Sequence, residues 1–235
     1  VTRQRNIVLT LVEKSEHREN RYQIYQLFMP KTKGTFIYEE DDEKRSIDYY
    51  VESIEIEGTG KARQIVVSLI CPDPFFEAPE DVTVTMAGYV KDFQFLHEFV
   101  ASGEELGHRV EERLKTIENN TGAEGIGMTI EINALDRVLN PSVNMVETGE
   151  FIALGNTSTN VTLFAGDKVV ITTGTNNKHV FLTRDGITQE VNYYLNEDST
   201  FLQLHSGNNT IGYNAQSGVE HMTVSITYRY KYLGV

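Results

Sequence analysis

Five consecutive carboxylates, Glu39, Glu40, Asp41, Asp42 and Glu43, form the densest cluster of metal-binding oxygens in the chain. A calcium loop spaces its carboxylates at alternate positions around a glycine turn, and its cation takes about six to eight oxygens. The run has no such spacing and lies between two apolar stretches, so it reads as a solvated hairpin tip. Histidines stand at positions 17, 97, 108, 179, 205 and 221. They form no HxH, HExxH or Cys/His group able to supply three or four metal ligands.

Nucleophiles fare no better. Ser206 in HSG and Ser158 in GNTSTN lack the GxSxG turn that presents a catalytic serine, and no GxGxxG or GxxxxGK[ST] loop is present to cradle phosphate. Cys71 is the single cysteine, which excludes an intrachain disulfide and a CxxC zinc pair; within an apolar run it reads as a small buried hydrophobe. Asn119-Asn120-Thr121 and Asn160-Val161-Thr162 match the glycosylation triplet and Asn209-Thr210-Ile211 nearly does, but the start of the chain shows no signal peptide, so these read as chance. No catalytic, cofactor-binding or metal-ligating residue is assigned, no cofactor is expected, and the protein does not read as an enzyme.

The elements that carry these residues are strands. Ile7, Leu9 and Leu11 alternate with Val8, Thr10 and Val12; SIDYYVESIEIEG alternates likewise; RQIVVSLIC is stopped by Pro72 and Pro74, which remove two ladder donors. One segment has helical spacing: Tyr22, Tyr25 and Phe28 or Met29 form a stripe flanked by Ile24 and Leu27, ended by Pro30. That stripe is expected in the core, covering one side of a small sheet. After residue 80 the pattern is almost wholly β: DVTVTM, GMTIEI, FIALG, NVTLFA, KVVITT, HVFLT, ITQEV, FLQL, NTIGY and MTVSITYRY, which implies two packed antiparallel sheets. Asp185-Gly186 is the pair that a type I′ hairpin prefers, and Gly166-Asp167 and Gly207-Asn208-Asn209 read as related turns. HRVEERLKTIEN is ambiguous, since Val110, Leu114 and Ile117 fit a helix yet nothing marks its ends.

With 235 residues the chain suffices for two domains, here residues 1–80 and 81–235, divided near FEAPED. A net charge of −13 repels nucleic acid and anionic membranes. No run of about 18 apolar residues is present to span a bilayer. The sequence opens on Val1, not Met, which suggests a fragment or a processed chain.

In their order and spacing, RNIVLTL, the helix ending LFMPK, KGTFIY, SIDYYVESIEI and VVSLICPDPFF resemble the distal tail proteins of siphoviruses that infect Gram-positive bacteria. The second half adds IENNTGAEGIGMTIEI, GDKVVITTG, DSTFLQLHSGNN and ITYRYKYLGV. The resemblance implies a mainly β protein, with an N-terminal β domain bearing one helix and a C-terminal galectin-like antiparallel β-sandwich. It also implies that HRVEERLKTIEN is a strand, and that residues normally ahead of RNIVLTL are missing from the ring-forming domain. The implied function is that of a structural homohexameric ring at the tail tip of the virion. Its partners would be the major tail (tube) protein, the tail-associated hub protein and receptor-binding proteins, with neither nucleic acid nor membrane bound. The alternative is a carbohydrate-binding module of a phage adhesion device. Against it stands the absence of Trp, the usual platform under a sugar, and fold analogy alone does not license sugar recognition.

Overall fold

The computed structural model describes residues 4–13, 17–41, 43–57, 63–91, 107–155 and 158–234. His97, Asp42 and Val1 lie outside them. The chain divides into two compact units, residues 1–79 with 231–235, and residues 80–230.

The first unit runs β1 (Arg5–Glu13), α1 (His17–Leu27), β2 (Lys33–Glu40), β3 (Glu43–Glu57), β4 (Arg63–Cys71) and β5 (Phe76–Glu77). Long β3 is the organiser: its first half pairs with β2, its second half with β4, and Ser46 with Glu77 of β5. β1 adds beyond β4. Alternation then sorts the side chains. Ile7, Leu9 and Leu11 pack with Val51, Ile65, Val67 and Leu69 on the face that α1 covers. The helix reaches that core through Ile24 and Phe28, four residues apart and so on one helical face. The expectation of a tyrosine and leucine stripe in the core is overturned, because Tyr22, Tyr25, Leu27 and Met29 are exposed. A helix apolar on more than one side can turn either face inward, and the pair with the right spacing over β1 and β4 wins.

The second unit runs β6 (Val82–Lys91), β7 (Gly107–Glu111), β8 (Leu114–Asn119), β9 (Ile126–Ala134), β10 (Val138–Met145), β11 (Phe151–Ala153), β12 (Thr162–Leu163), β13 (Lys168–Gly174), β14 (Asn177–Arg184), β15 (Ile187–Glu190), β16 (Gln203–Leu204), β17 (Gly207–Ser217) and β18 (Met222–Tyr228). They make two sheets. One is ordered β11-β10-β17-β8 with β12 beside β10, and the other β15-β14-β13-β9-β18-β6-β7 with β16 beside β9. Strict burial alternation along β9, β13 and β18 leaves one face dry and one wet, as two packed sheets require. The ambiguous HRVEERLKTIEN is extended, as the resemblance implied, but as two strands, β7 and β8. Asp185 and Gly186 both have positive φ, 52° and 77°, and close the two-residue hairpin between β14 and β15.

One strand is absent from the alternating runs read in the sequence. β10 contains Pro141, which pairs with Ala215, while Asn140 beside it takes φ 48° with the register on either side unchanged. The last strand, β19 (Lys231–Tyr232), was read with the second domain; it pairs instead with β5, in the first unit.

Candidate functional site

In the first unit three strands have a single partner: β1 pairs only with β4, β2 only with β3 and β19 only with β5. The outer edges of nine-residue β1 and eight-residue β2 thus have no partner among the described residues. Unpaired edges of that length invite another chain. The sheet face turned away from α1 carries Val8, Val12, Ile37 and Tyr50, which are 55%, 62%, 55% and 40% exposed. Cross-strand register places Thr10, Val66 and Glu55 in one row of that face. Its apolar and β-branched side chains share the face with Lys33, Thr35, Asp48 and Glu55.

The acidic run is the β2–β3 turn. Glu40 opposes Glu43 across it and Asp41 takes φ 53°. Its charges are partly matched, with Arg45 2.6 Å from Glu43 and Lys44 3.5 Å from Glu39. The Tyr38 hydroxyl donates to Glu40, and that bond raises the tyrosine pKa. Among the described residues no group of three His, Cys, Asp or Glu side chains could hold a metal.

The returning C-terminal segment is fastened to the same unit. Arg45 donates to the Gly234 carbonyl at 2.7 Å and lays its guanidinium 4.1 Å from the centre of the Tyr232 ring. Lys231 pairs with Asp73 and lies 3.6 Å from Glu77. Tyr232 packs against the cluster of Ile47, Cys71 and Phe76. Cys71 is fully buried there, and burial raises its thiol pKa, which suits a core residue and not a nucleophile.

In the second unit, polar side chains brace turns. Asp167, 3% exposed, accepts from Arg184 Nε through both carboxylate oxygens at 2.9 and 3.0 Å, and from the Phe164 N–H at 2.8 Å. Burial alone would raise its pKa, but the Arg184 hydrogen bonds and the Phe164 N–H outweigh it and hold the carboxyl below its ordinary value. The described histidines with placed side chains each face a carboxylate: His179 to Glu190 at 2.5 Å, His205 to Glu124 at 3.3 Å and His221 to Glu220 at 3.4 Å. These pairs are dispersed over different strands and loops. Sequence reasoning missed Asp167 and Arg184 as a pair, since seventeen residues separate them and only the β13–β14–β15 pairing brings them together. It also missed the free edges, which depend on strand order.

No described helix is long and apolar enough to cross a membrane. No curated protein matches the sequence. The chain is similar in fold to the SPP1 Dit (gp 19.1) protein, described as a paradigm of the hub adsorption apparatus in Gram-positive-infecting phages. The TM-score is 0.62 at 14% identity, over 98% of this chain and 79% of that one. A chain of the phage P2 baseplate in its activated conformation with Ca aligns at a TM-score of 0.46 and 13% identity, over 98% of this chain and 80% of that one. The family described as siphovirus-type tail component, C-terminal domain, matches residues 121–232. Within the second unit and the returning end of the chain, residues 121–232 are thus similar to the C-terminal domain of siphovirus-type tail components, and the whole chain shares the fold of the SPP1 Dit protein.

Proposed function

We propose that the protein is a ring subunit of the tail tip, six copies joined head to tail through the first unit. The observation that carries this reading is that two long strands of one sheet, β1 and β2, each have an unpaired outer edge among the described residues. A patch that contacts a different patch on the next copy is heterologous, and heterologous contacts build either closed rings or open filaments. β1 of one copy set against β2 of the next continues the sheet around a ring. Closure at six follows the resemblance to distal tail proteins.

In this reading the ring stacks on the tube protein on one side and the hub protein on the other, and the second unit, a galectin-like sandwich, offers docking for receptor-binding proteins. The similarity to a hub protein of a phage adsorption apparatus supports the placement. The net charge of −13 suits a channel for DNA, because a polyanion is not retained by a wall lacking basic side chains. The turn at Glu39 to Glu43 is the acidic segment assigned to that wall.

The test is a pair of charge substitutions on the edge strands, Val12→Lys and Ile37→Lys. Both side chains are more than half exposed, so each alters folding stability by no more than about 0.5 kcal/mol. Mass photometry is expected to show hexamers of the wild type and a shift of either variant to smaller species. Variants that assemble like the wild type would refute the edge-to-edge joint.

A further inference from the structure

The second unit holds a cavity of about 230 Å³ lined by Asn160, Val161, Thr162, Leu182, Arg184 and Tyr194. It is smaller than the roughly 300–1,000 Å³ of sites for drug-sized molecules, so it has room for one ring and not for an extended chain. Its polar groups are fixed in advance. Besides its two Nε contacts with Asp167, Arg184 donates from Nη2 to the Thr162 carbonyl at 3.0 Å, and Phe164 covers its guanidinium with the ring centre 5.0 Å from Cζ. Nη1 has no partner among the described residues.

Asn160 is held from the other side. Its carbonyl oxygen accepts from Asn140 Nδ2 at 3.0 Å, while Asn140 Oδ1 accepts the Val161 N–H at 2.7 Å. Asn140 does this from φ 48°, a backbone conformation that L-residues other than Asn and Asp rarely take. The Asn160 amide nitrogen is left with no partner among the described residues. Tyr194 supplies an aromatic wall, its ring edge-on to that of Tyr193 with centroids 4.6 Å apart.

The cavity thus presents unspent N–H donors beside an aromatic ring, with Leu182 and Val161 as apolar floor. Its one cation is balanced by Asp167, and the chain is strongly acidic, so an anion gains no net attraction. A neutral ligand whose oxygens accept hydrogen bonds and whose C–H face lies on an aromatic ring meets each of these conditions.

We propose that this cavity binds one unit of a neutral saccharide, with Arg184 Nη1 and Asn160 Nδ2 donating to its hydroxyl oxygens and Tyr194 against its ring. So small a ligand limits affinity to the order of millimolar. The site does not depend on ring assembly and can be read on any oligomer.

The test is saturation-transfer NMR and calorimetry on the full chain with the methyl glycosides of glucose, galactose and N-acetylglucosamine, and with glucuronate and inorganic phosphate as anionic probes. Saturable binding of at least one neutral glycoside is expected, weakened about tenfold or more by Asn160→Ala and by Tyr194→Ala, each with an unchanged melting temperature. Arg184→Lys, which keeps the charge and loses the fork, should weaken it as well. Three outcomes would overturn the proposal: no saturable signal from any neutral glycoside, tighter binding of glucuronate or phosphate than of the neutral probes, or binding unchanged in both alanine variants.

Discussion

Asn119 and Asn209, in different strands, donate to the same acceptor: Asn119 Nδ2 lies 3.1 Å and Asn209 Nδ2 2.9 Å from the carbonyl oxygen of His205. Both side chains are buried, at 0% and 1% exposure, and each is satisfied further, Asn119 through Ala123 O and Thr121, Asn209 through Gly207 O and the His205 N–H. The two amides therefore clamp the turn leading into β17 to the end of β8.

Replacing Asn209 with Ala leaves the His205 N–H and the local carbonyls short of partners in a dry site. A loss of about 1–3 kcal/mol is expected for such a group, measured by urea unfolding. Asn209→Asp should cost as much or more, because it loses the donating nitrogen and buries a charge.

The Asp167 carboxylate makes a pH-dependent contribution. Its pKa is lower folded than unfolded, so the stabilisation is complete above the unfolded value of about 3.9 and is lost as pH falls through the folded value. Asp167→Asn should destabilise by about 1–3 kcal/mol at pH 7, less than a fully buried pair because Arg184 is 40% exposed. The gap between wild type and variant should narrow as pH falls below the unfolded value and through the lower folded one. A gap independent of pH would show that the carboxylate charge is not what matters.

Tyr232 ties the end of the chain to the first unit. Tyr232→Ala removes the ring beneath Arg45 and part of the cover over Cys71, with an expected cost of about 1–3 kcal/mol. Hydrogen exchange should report faster opening in β5 and the first half of β3, and a faster reaction of Cys71 with thiol reagents.

Much of the fold is legible in the alternation of side chains, because a strand with one dry face must repeat every second residue. Asp185-Gly186 is legible too, since few residue pairs accept two positive φ angles in succession. What escaped depends on partners distant in sequence. Pro141 hides a strand because a residue without an N–H cannot donate to a ladder, and Asn140 beside it takes φ 48°. Tyr22 and Tyr25 look like core residues until the helix is seen to have Ile24 and Phe28 for that role. β19 lies with the first unit because its partner, β5, is 154 residues away at Lys231 and Glu77. The acidic run, by contrast, is the hairpin tip its composition implied.

Assembly is the central claim, and negative-stain electron microscopy of the purified protein tests it most directly. The account predicts six-fold rings with a central hole, of six times the 26.6 kDa chain mass. A uniform field of single subunits at concentrations on the order of ten micromolar, where a standard-sized specific interface is occupied, would contradict it.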